Sequence, residues 1–136
     1  MPQLTSRHRE HLDNLSREHK PVAVKADVAF VGIGNIGPNC PLHEDGFITS
    51  AEVEELVQNK AVAEMLGLPI DASGAHVESP TGRRVTSVTL DSPPKRPTIG
   101  FAGGARKHDA VIAVLKGGWL SGLVTDEDCA RAALKG

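Results

Sequence analysis

The chain has 136 residues, 40% hydrophobic and 24% charged, with a net charge of -2. That size and apolar content suit one domain with its own core, and the near-neutral balance argues against a surface that binds nucleic acid through its phosphates. Aromatic residues make up 3%, with no Tyr, so the core must come from Val, Ile, Leu and Ala, and base-stacking platforms for single strands are not expected.

No apolar run approaches the ~20 residues of a membrane span. The start, "MPQLTSRHREHL", is polar and has no apolar signal core. A cytoplasmic location is expected, with no membrane partner.

Residues 5–19 predict a surface helix with Leu4, Leu12 and Leu15 as its apolar anchors, closed before Pro21. Residues 1–25 are expected to form this helix and a linker, and residues 26–136 an α/β domain. "ADVAFVGIG", Ala26 to Gly34, has the continuous apolar character of a strand buried on both faces. Residues 35–48 hold two prolines and two glycines and are expected to be loop. In "TSAEVEELVQN", Thr49 and Glu52 have capping-box spacing, and Val53, Leu56 and Val57 form an apolar stripe, which predicts a short helix.

"AVAEMLGLPI", Ala61 to Ile70, predicts a strand with one acid, Glu64, in its middle. "DASGA" is a turn signal, and the alternation from Arg83 to Leu90 predicts another strand. After the proline-rich "DSPPKRP", "TIGFAGG" predicts a strand and Arg106 to Lys116 a helix with Val111, Val114 and Leu115 inward. "WLSGLVT" predicts a last strand, and "TDEDCARAAL" a closing helix with Thr125 as N-cap and acids in its first turn. Strands alternating with helices imply a mainly parallel sheet. The loops at Gly32 to Gly37, Gly103 to Lys107 and Thr125 to Glu127 all follow strands, so they should gather at the carboxyl edge, where such sheets bind ligands.

"GIGNIG", Gly32 to Gly37, fits the G-x-G-x-x-G spacing of a dinucleotide site. That chemistry needs the third glycine inside a helix aimed at the pyrophosphate. Pro38 and Pro41 forbid that helix here, so the motif is read as a tight loop and no cofactor is expected. At "GGARK", Gly103 and Gly104 permit positive φ and close backbone approach. The N–H groups of Ala105 to Lys107 and the charge of Lys107 then suit a small anion such as phosphate or carboxylate. Two solvated surface cations remain the alternative.

Cys40 and Cys129 are each alone, without a CxxC partner, and a cytosolic setting disfavours a disulfide between them. His8 and His11 share a helix face but lack an evident third ligand. No metal is expected.

The blocks "ADVAFVGIGNI", "GFITSAEVEELVQNKAVAEMLGLPIDASGAHVE", "RRVTSV" and "GFAGGARKHDAVIAVLKGGWLSGLVTDEDCARAAL" resemble the sugar-binding effector domain of the SorC family of bacterial transcriptional regulators. The resemblance runs from Asp27 to Leu134 and corresponds to the C-terminal half of that domain. The helix-turn-helix and the first half of the domain have no counterpart. It implies a three-layer α/β/α, Rossmann-like fold related to phosphosugar isomerases and coenzyme A transferases, present here as a half-domain.

It also implies a phosphorylated sugar or related small metabolite as ligand, with Glu64 facing sugar hydroxyls, Arg84 near an anionic group and Lys107 on a phosphate. Gly32, Gly34, Gly103 and Gly104 would line the same site. Where the family shows Gly-Asp, this chain has Ala63 and Glu64, which keeps the acid and lengthens it by a methylene.

The leading expectation is therefore a binding module that has no DNA-reading part of its own and self-associates. Two rivals stand beside it: an isomerase-like enzyme in which Glu64 moves a proton, and a half-domain that only oligomerises.

Overall fold

The computed structural model describes residues 25–86 and 88–136. The helix expected over residues 5–19, with His8 and His11, lies outside them.

Three parallel strands make the first sheet, in the order β1 (Ala29–Gly32), β5 (Thr98–Ala102), β6 (Gly122–Thr125). Ala29 stands opposite Thr98, and Ile99 opposite Gly122. The chain leaves this sheet at Ile33, whose N–H still reaches Phe101 O at 3.0 Å. It enters a second sheet at once as β2 (Gly34–Asn35). This sheet is antiparallel, in the order β2, β3 (Ala61–Met65), β4 (Leu68–Asp71). The single strand expected over Ala61 to Ile70 is thus a hairpin. Leu66 and Gly67 turn it with φ of 51° and 80°, the double left-handed conformation that matches the twist of paired strands.

Helix α1 (Pro41–Glu44) is one turn set within the expected loop. Helix α2 (Ser50–Gln58) starts with the expected capping box: the Thr49 side chain accepts from Glu52 N–H, and the Glu52 carboxylate accepts from Thr49 N–H. Val53 and Leu56 are buried, whereas Val57 is exposed, so the stripe is narrower than its spacing suggested. Among the described residues, the strand expected from Arg83 to Leu90 is not found. Helix α3 (Pro80–Val85) takes its first part, because Ser79 caps it through Gly82 N–H and Pro80 sits at its first position.

The segment before the next helix is a 3-10 turn, Ala105–Lys107, which passes into α4 (His108–Lys116). Its inward residues are Ala110, Val111, Ala113 and Val114, while Leu115 faces out. Helix α5 (Glu127–Lys135) is capped by Asp126 and not by Thr125: the Asp126 carboxylate accepts from Cys129 N–H at 2.8 Å. Aspartate, with two acceptor oxygens, serves that position well.

The main core joins both sheets to α4, through Val31, Ile33, Met65, Ile70, Val111 and Val114. A smaller core under α2 holds Cys40, Ile48, Val53, Leu56, Ala61 and Val77. Among the described residues, no such cover lies over one face of the parallel sheet. Phe30 is 69% exposed, Val124 53% and Phe101 43%, and the Phe30 and Phe101 rings lie 5.9 Å apart. Strand β1 is therefore buried on one face only, which corrects the reading of its unbroken apolar run.

Candidate functional site

The strand-following loops meet at the carboxyl edge of the parallel sheet. Gly104, with φ of 95°, donates its N–H to Asp126 Oδ2 at 2.6 Å, and Cys129 Sγ contacts Gly104 O at 3.4 Å. These contacts tie the loop after β5 to the loop after β6. Arg106 reaches back to Asn39 O at 2.6 Å, which ties the same turn to the loop after β2. Only Gly fits easily at a φ of this kind, and it lets the chain reverse directly above the strand ends.

Besides Asp126, a second acid, Glu64, comes from the antiparallel sheet. It lies in β3 opposite Gly34, and the two are so close that a β-carbon at residue 34 would stand 2.0 Å from Glu64 Oε1. Oε2 accepts from Gly67 N–H at 2.9 Å. Burial pushes the Glu64 carboxyl above its ordinary range, while the Gly67 N–H and the positive charge of Lys107 pull it partly back. The result is a half-buried carboxylate with one oxygen fixed, the other pressed over a glycine, and a cation nearby.

Lys107 ends the 3-10 turn, and its N–H closes that turn on Gly104 O at 3.0 Å. Its side chain is near enough to Glu64 to act on its charge, but is not paired with it. The Gly104 N–H is spent on Asp126 and the Lys107 N–H on Gly104 O. Of the backbone donors expected for an anion, those of Ala105 and Arg106 are left, at the open start of the turn.

The structure thus groups Gly34, Glu64, Gly103, Gly104 and Lys107. Gly32 is placed differently: it lies on the uncovered sheet face beside Phe101, where a β-carbon would meet nothing within 4 Å.

Arg84 is engaged elsewhere. Its guanidinium bonds Glu52 at 2.8 and 3.1 Å and Phe47 O at 3.0 Å. Partial burial raises the Glu52 carboxyl, and the Thr49 N–H and Arg84 outweigh it, so Glu52 lies below the ordinary carboxylate range. A ligand anion would have to share or break that pair.

One grouping was not legible from the chain: His108, Asp126 and Cys129 each offer a ligand atom within 4.8 Å of the others. Cys129 and Asp126 lie three apart across a helix cap, but nothing in the spacing to His108 announces the contact.

The family model described as "Putative sugar-binding domain" matches residues 11–135. The erythritol catabolism regulatory protein EryD of Brucella abortus is 36% identical over 110 residues, which cover 81% of this chain and 35% of that protein. The transcriptional regulator LsrR of an Enterobacter species is 39% identical over 116 residues, covering 82% of this chain and 36% of that protein. The chain therefore spans about a third of the length of these curated relatives.

Among solved structures, a DeoR family transcriptional regulator from Listeria monocytogenes superposes with a TM-score of 0.77 at 22% identity, covering 98% of this chain and 56% of that one. At that identity the likeness speaks for the fold. Among the described residues no helix is long and apolar enough to cross a membrane. On the match to nearly its whole length, the chain belongs to the sugar-binding domain family, and the curated relatives named above that share this region are bacterial transcriptional regulators.

Proposed function

We propose that the chain binds a phosphorylated sugar at the carboxyl edge of its parallel sheet and acts as the effector-sensing part of a regulator. The observation that carries this is the nearness of two unlike groups: the Glu64 carboxylate held against Gly34, and the Lys107 ammonium close enough to act on its charge. A carboxylate accepts hydrogen bonds from sugar hydroxyls, and an ammonium with nearby free N–H groups takes a phosphate. Together they suit a ligand that is neutral and hydroxylated at one end and anionic at the other.

Sensing is favoured over turnover. The relatives named above are regulators, and isomerisation needs a second acid–base group beside the substrate. Among the described residues, the charged group that acts on Glu64 is Lys107. The proposal includes a cytoplasmic location, no sequence-specific DNA binding by this chain, and self-association through the uncovered sheet face of Phe30, Phe101 and Val124. It is tested by a thermal-shift screen across phosphosugars, in which a ligand at 100 times its dissociation constant should add about 2.7 kcal/mol of stability. Conversion of the sugar, followed by product analysis, would instead support the enzyme.

A further inference from the structure

His108 opens α4, Asp126 caps α5, and Cys129 lies in the first turn of α5. The fold brings one nitrogen, one oxygen and one sulfur from these residues within 4.8 Å of each other. Two more observations bear on what could join them. The His108 Nε2 atom is buried and has no hydrogen-bond partner among the described residues. Thr125 Oγ1, one residue before Asp126, is buried and unpartnered as well. Buried polar atoms are nearly always satisfied, so an orphaned nitrogen on one of the three residues calls for a missing partner.

We propose that His108, Asp126 and Cys129 form a three-ligand site for a divalent transition-metal ion of the zinc type. The donor set decides the class. An imidazole nitrogen, a thiolate sulfur and a carboxylate oxygen suit Zn²⁺ and its analogue Co²⁺, whereas Mg²⁺ and Ca²⁺ want oxygen alone. Bonds of about 2.0–2.3 Å place tetrahedral ligand atoms roughly 3.5 Å apart, so the cluster needs a contraction of about 1 Å, within the reach of side-chain rotation.

The existing contacts allow this. Asp126 Oδ1 accepts from Cys129 N–H and Oδ2 from Gly104 N–H. Each carboxylate oxygen keeps a second lone pair for a metal, and the two amide bonds fix its orientation, as outer partners of metal ligands commonly do.

On binding, the Cys129 thiol loses its proton to solvent and its sulfur bonds the ion. The weak contact of Sγ with Gly104 O is given up. Three protein ligands leave a fourth position for a water or another oxygen donor. The site stands on its own residues and does not depend on sugar binding.

The test is a Co²⁺ titration of the full, reduced chain, followed in the near ultraviolet, with Zn²⁺ affinity measured by competition. The expected result is a thiolate-to-cobalt charge-transfer band at one ion per chain. Cys129→Ser should remove it, and His108→Ala should weaken Zn²⁺ binding by at least about a hundredfold. Cys40→Ser should keep the band, because Cys40 lies in the other core. Circular dichroism checks that each variant is folded. Should Cys129→Ser fail to fold, His108→Ala together with the band of the unaltered chain decides the matter. No band in the unaltered chain, a band that survives Cys129→Ser, or unchanged Zn²⁺ affinity in His108→Ala would overturn the site.

Discussion

Gly34 and Glu64 stand opposite each other across β2 and β3, and the Glu64 carboxylate fills the space that a β-carbon at residue 34 would need. The glycine is what lets a charged side chain lie flat on the sheet edge. Gly34→Ala should therefore displace the carboxylate, and because the obstructing atoms are the end of a flexible side chain the fold should lose only about 1 kcal/mol, the low end of the cost of overpacking. It should also abolish sugar binding. Thermal unfolding and calorimetry measure the two effects, and a variant with unchanged stability would show that Glu64 moves aside freely.

The ionisation of Glu64 links this geometry to pH. Its folded carboxyl is raised from an ordinary value of 4.5, first by burial, with Gly67 and Lys107 opposing. The folded state thus holds the proton to higher pH than the unfolded chain does. The linked stability is fully present below the ordinary value and is lost as pH rises through the raised one. Glu64→Gln carries no such charge. Plotted against pH, its melting temperature minus that of the unaltered chain should climb from about pH 4.5 upward and then level off. A flat difference would mean that burial does not control this carboxyl.

The uncovered face of the parallel sheet should hold copies of the chain together. Phe30 is the most exposed of its three large side chains. Phe30→Ser removes an apolar ring from that face and should weaken self-association by about tenfold or more. Sedimentation over a range of concentrations checks this. A chain that stays monomeric at high concentration, with or without the substitution, would contradict it.

Much of this arrangement was legible in the chain because its signals are local. The capping box at Thr49 and Glu52, the glycine turn at Gly104, and the lone acid in "AVAEML" are each visible within a few residues and found in place, although of the glycine pair only Gly104 takes a positive φ. What the chain hid depends on contacts between distant segments. The apolar run at "ADVAFVGIG" gives no sign that only one face of β1 is covered, since that depends on what packs against the sheet. The alternation at Arg83 to Leu90 resembles a strand, yet Ser79 and Pro80 start a helix that the period does not reveal. Arg84 carries the right charge for an anion site, and only the fold shows it paired with Glu52. His108, Asp126 and Cys129 come together through two helix starts whose relative placement no spacing rule encodes.

The claim that Lys107 reads the phosphate of a sugar-phosphate is tested most directly by calorimetry. Phosphorylated sugars and their unphosphorylated analogues are titrated into the unaltered chain and into Lys107→Ala. A charge-assisted hydrogen bond is worth roughly 1.5–3 kcal/mol, so the substitution should weaken phosphosugar binding by about ten- to a hundredfold. It should change affinity for the unphosphorylated sugar much less and leave the fold intact. Equal phosphosugar affinity for the two proteins, or an equal loss for both kinds of sugar, would contradict the account and return Lys107 to a solvated surface cation.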